Sequence, residues 1–408
     1  MINTELLLGG LFIILLGLPS LLISLELLLG QKRLKKIPLN SGPNKSCTIL
    51  MPAHNEELVI EHTLVQLKKE ISADDRIVVI ADNCTDNTVS ICKSLNVEVI
   101  ERQSIDKRGK GFALDFGIQY IAKQMPTTLV ILDADSEFQP GGLARLVSRS
   151  QTDNTVIQSM YLMRSPAHAP IKTRVAEFAW LVKNRIRPTG LARLGLGCHL
   201  QGSGMAFPGE VFEQVSLASG SIVEDLELGL KLTALGYKIG FEPYAVVNSH
   251  FPTSTDGTQS QRTRWEHGHL ASIAMLPKMI FSALKKRQFN VIGLCLDAAI
   301  PPTIMWLLLV ILASFFSGVL TLFNVNMPFY IALICLSGIL TGLLLAWLCH
   351  GLSLIKVSDF WGIMKFVGSK FSIYKTFFTA RQKEWVRTDR TKENVDSPID
   401  KDDQKDGL

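Results

Sequence analysis

The sequence predicts an α/β protein with a mostly parallel sheet, flanked by about three membrane-spanning helices. Three observations carry this. From residue 46 onward, short apolar runs alternate with helical stretches, the rhythm of strands joined by crossover helices. Several of those runs end in carboxylates, where open parallel sheets place their ligand-binding residues. Three charge-free apolar stretches are long enough to cross a bilayer.

Composition narrows the class. A hydrophobic content of 47% with only 19% charged residues over 408 positions is too apolar for a wholly soluble enzyme. The net charge of +5 is modest, and no nucleic-acid module is visible, so no nucleic-acid partner is expected. Seven cysteines, odd in number and without metal-type spacing, read as reduced thiols, mostly buried.

The elements follow in order. Leu6 to Leu25 is the first apolar span, and the basic residues Lys32, Arg33, Lys35 and Lys36 follow it. The positive-inside bias therefore puts the N-terminus outside and the following chain in the cytoplasm. Residues before the span lack the basic region of a cleaved signal, which stays as the competing reading. Glu26, at the inner boundary, is expected to snorkel to the interface. After a basic linker over 31–45 come strands at Cys47–Met51, Arg76–Ala81, Val97–Ile100 and Leu129–Leu132. A helix is expected through about Lys69, and another opens at Arg108–Leu114. Further on, Thr155–Gln158 reads as a strand, Phe178–Arg193 as a basic helix and Gln201–Pro208 as a glycine-rich turn. Ile222–Lys231 starts a helix with carboxylates in its first turn, and Phe241–Asn248 is a short strand. The α/β domain is assigned to 46–270.

An amphipathic interface segment (271–290) leads to a transmembrane hairpin (291–350) with spans at Ala299–Phe323 and Met327–Trp347, the first interrupted by Pro301 and Pro302. Lys285–Arg287 and Lys356, Lys365 and Lys370 mark its cytoplasmic ends. Asp297 is costly against lipid and is expected to face protein or the interface. Residues 351–391 mix aromatic and basic side chains, as a segment on the membrane surface would. The charged stretch 392–408 reads as a disordered tail.

The chemistry centres on Asp133 and Asp135, which follow the fourth strand. Read as extended chain, residues two apart point the same way, so both carboxylates can serve one hard divalent cation, Mg²⁺ or Mn²⁺. A polar turn is the plainer reading. Glu56, Asp82 and the pair Glu224 and Asp225 lie at the ends or starts of other elements. Arg108 and Lys110, beside glycines at a helix start, suit a phosphate group, although the P-loop spacing is absent. For Asp82 an Asx turn, for Arg108 and Lys110 a solvated basic turn, and for Trp265 ordinary core packing, stay equally open.

Together these stations resemble the membrane-bound family 2 glycosyltransferases of GT-A fold, of the bacterial exopolysaccharide type, over about residues 46 to 270. Pro52-Ala-His-Asn-Glu56 is similar to that family's first-strand motif, and Asp82-Asn-Cys-Thr-Asp-Asn-Thr88 to its nucleotide-binding turn. Asp133-Ala-Asp135 matches the metal-binding Asp-x-Asp. Val223-Glu-Asp225 resembles Thr-Glu-Asp with Val in place of Thr, and Gln261-Arg-Thr-Arg-Trp265 matches Gln-x-x-Arg-Trp. Gln201-Gly-Ser-Gly204 sits where the family contacts sugar or acceptor. The resemblance implies that Ala53, Glu56, Asp82, Lys110, Asp133, Gly202 and Ser203 hold a nucleotide-diphospho-sugar (a UDP- or GDP-sugar). Asp133 and Asp135 would bind the metal, and Glu224, Gln261, Arg264 and Trp265 the acceptor or diphosphate.

The expected reaction is an inverting, metal-dependent sugar transfer with Asp225 as general base. Its acceptor would be a lipid-linked or polysaccharide chain held at the membrane, in cell-surface polysaccharide synthesis. His250 is a third metal ligand, a phosphate partner or a structural histidine. The location implied is the cytoplasmic (inner) membrane, multi-pass, with the catalytic domain in the cytoplasm and other polysaccharide-assembly proteins as partners. A processive synthase, a nucleotidyltransferase and a non-catalytic membrane subunit remain as alternatives.

Overall fold

The structure is a computed structural model that describes residues 2–38, 45–166, 168–252 and 255–379. The expected tail and the ends of two expected segments (39–44 and 380–391) lie outside them.

Eight strands form one sheet: β1 Cys47–Ala53, β2 Arg76–Asp82, β3 Glu98–Arg102, β4 Thr128–Ile131, β5 Glu137–Phe138, β6 Ile157–Arg164, β7 Met205–Pro208 and β8 Gly240–His250. Their order is β3-β2-β1-β4-β7-β6-β8-β5. The first four are parallel, as the alternation of runs and helices demands. Side chains divide between the faces with period two. Ile49, Met51 and Val79 enter one buried cluster, and Leu50, Val78 and Ile80 enter the other.

The second half departs from the sequence reading. β7 runs antiparallel to both β4 and β6, while β6 and β8 are parallel. Met205–Pro208, expected within a glycine-rich turn, is this strand. All four of its residues are buried, so it carries no alternation to betray it. β4 ends at Ile131, and Asp133 and Asp135 lie in a turn in which the Ser136 N–H donates to the Asp133 carbonyl at 3.1 Å. Their nearness therefore comes from a turn and not from extended chain.

Three helices, Thr4–Leu29, Thr303–Phe323 and Met327–His350, are long and apolar enough to cross a membrane. The second begins just past Pro301 and Pro302. A Cβ on Gly342 would lie 2.6 Å from the Leu27 Cβ, and one on Gly338 would lie 2.7 Å from the Ser24 hydroxyl. Small residues thus let the first and third helices meet closely. Leu181, Val182 and Ile186, from the helical run between Ile171 and Arg193, join the same buried cluster as Leu16, Ile23 and Leu27.

Glu26 does not snorkel. It is fully buried and accepts the Arg187 Nε–H at 2.7 Å. Arg187 also pairs with Asp297, whose second oxygen meets His199 Nε2 at 2.8 Å. A guanidinium within reach stabilises the carboxylate inside the protein, so the side chain has no need to climb to the interface. Asp297 faces protein, as expected.

Candidate active site

The β1 and β2 ends are tied together by side chains. Asn55 and Asn83, just past them, hold positive φ of 56° and 52°, which asparagine tolerates better than most residues. Ala53, the last residue of β1, accepts a hydrogen bond from the Cys84 thiol at 3.5 Å. The Glu56 N–H donates to Thr88 Oγ1 at 2.8 Å. Asp82, the last residue of β2, is paired with Arg102 of β3 at 2.5 Å, and Asn83 Nδ2 donates to the same oxygen at 3.1 Å. Arg102 is a site residue that sequence reading missed. Its signal was the in-register pairing of the β2 and β3 ends, hidden by drawing the third strand two residues short.

Lys110 is the first residue of the helix Lys110–Ile121, preceded by Gly109 at φ +120°. Its ammonium donates to the Asp133 carboxylate and, at 2.7 Å, to the Gly202 carbonyl. The Asp133 N–H donates to Ser203 Oγ at 3.1 Å, and Ser136 Oγ donates to Asp135 at 3.3 Å. Gly202, at φ +92°, lies against the base candidate: a Cβ there would be 3.3 Å from Asp225 Oδ2 and 3.6 Å from Lys110 Nζ. Asp225 Oδ1 accepts the Leu226 N–H at 2.8 Å, so Oδ2 is the oxygen turned toward the loop. The loop is clamped from below by fully buried Gln158. This side chain donates to the Ser203 carbonyl at 2.9 Å and accepts the Gln201 N–H at 2.8 Å. Gln158 was also missed, although a glutamine closing an apolar strand was the visible signal.

Charge is lopsided here. Burial raises the Asp133 carboxyl, Lys110 opposes that shift, and Asp135 and Asp225 reinforce it. Burial, with Asp225 beside it, pushes Glu224 up to about 7. Lys110 is held above its ordinary value because Asp133, Glu224 and Asp225 outweigh its burial. Burial pulls the Arg264 guanidinium down, with Glu224, Asp133 and Asp135 opposing. Four carboxylates, Asp133, Asp135, Glu224 and Asp225, thus gather around Lys110 and Arg264. Among the described residues, no group of three His, Cys, Asp or Glu side chains could hold a metal. His250 ends β8, in register with Arg164. Two hard oxygen donors, Asp133 and Asp135, fit a divalent cation that keeps positions for phosphate oxygens, and the excess negative charge favours one.

Gln261, Arg264 and Trp265 lie on the helix Thr255–Ser272 at spacings of three and four, on one side of it. Gln261 is buried. Trp265 packs on Trp180 with ring centroids 4.6 Å apart, and Trp180 meets Tyr161 edge-on at 5.7 Å. Trp265 is thus partly core, yet it remains half-buried. His267 and His269 are held by the Ile373 and Ala298 carbonyls at 3.0 and 3.1 Å.

Residues 43–268, more than half of the chain, match the family described as glycosyltransferase like family 2. The poly-beta-1,6-N-acetyl-D-glucosamine synthase of Staphylococcus aureus (strain COL) is 25% identical over 283 residues, 68% of this chain and 66% of that protein. The chain thus spans just under two thirds of that relative's length. The probable glycosyltransferase YdaM of Bacillus subtilis (strain 168) is 25% identical over 252 residues, 59% of either chain. Among solved structures, a mannosyltransferase from Pyrobaculum calidifontis, in complex with GDP-Man and Mn²⁺, superposes with a TM-score of 0.55. It is 14% identical, and the match covers 92% of this chain and 99% of the other, a likeness of fold. The chain belongs to the family described as glycosyltransferase like family 2, and its fold is GT-A.

Proposed function

We propose that the protein moves a sugar, with inversion, from a nucleotide-diphospho-sugar to a membrane-held acceptor in cell-surface polysaccharide synthesis. The observation that carries this reading is the convergence of Asp133, Lys110 and Asp225 on the Gly202 loop. Asp133 and Asp135 would hold Mg²⁺ or Mn²⁺, and the mannosyltransferase that shares the fold is in complex with Mn²⁺. When bound, the cation neutralises the departing diphosphate.

The chain's own residues supply the rest. Asp82, Glu56 and Ala53 line the nucleotide end, and Arg102 fixes the Asp82 carboxylate. Lys110 and Arg264 add positive charge at the diphosphate. Gly202 and Ser203 form the floor beneath the sugar. Asp225 Oδ2 takes the proton of the acceptor hydroxyl while that oxygen bonds to C1 and the C1–phosphate bond breaks, releasing a nucleoside diphosphate. Glu224 and Gln261 border the base, and Trp265 offers a flat apolar wall to a sugar ring. The basic residues flanking the spans favour an inner-membrane protein with its site in the cytoplasm, within reach of other assembly proteins.

The test is a donor screen on detergent-purified protein, with UDP- and GDP-sugars, Mg²⁺ or Mn²⁺, and membrane extract as acceptor. Metal-dependent release of nucleoside diphosphate from one donor is expected. It should be lost in Asp135→Ala and abolished in Asp225→Asn, which retains donor binding. Release of pyrophosphate would identify a nucleotidyltransferase, and no release from any donor would overturn the reading. A second reading, processive synthesis, is favoured by the Staphylococcus aureus relative, a polymer synthase by name. A product ladder from one donor would establish it.

A further inference from the structure

Beside the acidic cluster stands a cation with no acid of its own. Lys183 lies in the π-helical turn Val182–Ile186, which interrupts the helical run between Ile171 and Arg193. Such turns shift a side chain out of the helix's regular register and recur at functional sites. Leu181, Val182 and Ile186 are buried in the cluster that the membrane helices form, while Lys183 is open to solvent. Arg187, one turn further, is committed to Glu26 and Asp297. Lys183 makes no hydrogen bond and no ion pair among the described residues. Its ammonium sits 5.4 Å from the centroid of the Trp180 indole, the ring against which Trp265 packs at a tilt of 43°.

Lys183 is exposed on the helical run, beside the Trp180 ring. Solvent reaches it, yet the protein crowded around it pulls its pKa below the ordinary lysine value, and Asp225 is the strongest opposite charge acting on it, ahead of Glu266 and Asp297. An ammonium over an aromatic wall, near the base and beside residues packed on the membrane helices, is equipped to recognise an anion at membrane level. Asp225 and Glu224 already supply negative charge on that side, so a neutral acceptor would leave Lys183 without a ligand role.

We propose that Lys183 binds the phosphate of a lipid-linked acceptor and so positions the attacking hydroxyl of its sugar at Asp225. This rests on reading Asp225 as the base of a sugar transferase. A lipid carrier is favoured over an acidic polymer because the residues flanking Lys183 belong to the membrane-side cluster.

The full chain is placed in phosphatidylcholine nanodiscs with a polyprenyl phosphate, the matching polyprenol, or a uronic-acid oligosaccharide as probe. Binding is read by native mass spectrometry, and UDP and GDP binding is measured on the same samples. The wild type is expected to hold the phosphate about tenfold or more tighter than the alcohol. Lys183→Gln should erase that preference and Lys183→Arg keep it, with nucleotide binding unchanged in both, which also reports that the variants are folded. Equal binding of phosphate and alcohol by the wild type, or a preference that survives in Lys183→Gln, would overturn the proposal. Tighter binding of the oligosaccharide than of the polyprenyl phosphate would overturn the lipid source. A wild type that binds neither nucleotide removes the transferase reading itself, and the separate lipid measurement tells the two failures apart.

Discussion

Replacing Gln158 by leucine tests whether the floor of the site is built as described. The exchange nearly conserves volume, so little cavity is expected, and the effect is confined to hydrogen bonding. Four bonds disappear, Nε2 to the Ser159, Ser203 and Gly204 carbonyls at 2.9, 2.9 and 3.5 Å and the Gln201 N–H to Oε1 at 2.8 Å; those to Ser203 and Gln201 hold the loop. Gln158 and Ser203 are both fully buried, so water does not readily replace either partner. Each backbone group left unsatisfied costs about 1–3 kcal/mol, and the Ser203 carbonyl and Gln201 N–H together cost about 2–6 kcal/mol. The loop can relieve this only by moving, and movement has a chemical consequence. The Gly202 carbonyl anchors Lys110, and Ser203 Oγ accepts the Asp133 N–H. A shift of about 1 Å at reacting groups lowers turnover roughly a hundredfold. Nucleoside diphosphate release by Gln158→Leu is therefore expected to fall by about two orders of magnitude. The unfolding midpoint in detergent should fall with it. A variant with turnover within about threefold of wild type, well short of that loss, and an unchanged midpoint would refute the clamp.

Three further outcomes follow from buried charge. Arg187→Met leaves Glu26 and Asp297 without their guanidinium and should destabilise the protein by about 3–5 kcal/mol in detergent melts; an unchanged midpoint would contradict the ion triad. Arg187→Lys should rescue little, because one ammonium does not reproduce a fork that serves two acids. Burial, with Lys183 and Arg187 nearby, depresses His269 to about 4, and its Nε2–H donates to the Ala298 carbonyl in the neutral form. Its folded pKa lies below the unfolded value of about 6.5, so protons favour the unfolded chain. Stability on its account is full above pH about 6.5, declines as pH falls toward about 4 and is constant below. His269→Gln should flatten that decline in midpoint-against-pH curves, and an identical slope would exclude His269 as its source.

The legible part of the molecule is the part whose signal is local. β1, β2 and β4 are continuous apolar runs ending in Ala53, Asp82 and, two residues past β4, Asp133. Buried parallel strands read that way at any position in a chain. The three helices among the described residues that are long and apolar enough to cross a membrane are legible for the same reason, since length and apolarity suffice. β7 was lost because it has four residues, all buried, directly after a glycine turn, so neither run length nor alternation marks it. Glu26 was misread for a deeper reason. Hydropathy places a carboxylate near a span's end and sends it toward water, but its partner Arg187 lies 161 residues away, and no window contains both.

The same distinction runs through the site. Asp133 and Asp135 are two apart, and a spacing survives even when the conformation assumed for it was wrong: a turn brings together what an extended chain was expected to align. Arg102, Gln158 and Lys183 carry no such spacing. Arg102 and Gln158 matter because the sheet brings each to a partner, Arg102 through strand register and Gln158 through a loop crossing above it, while Lys183 is placed by a helical irregularity whose neighbours pack against the apolar helices. Motifs mark the charged residues that converge on the Gly202 loop. The residues that hold those in place are recruited from wherever the fold passes, and so a reading of motifs finds Asp225 and Lys110 but not the glutamine on which their shared loop rests.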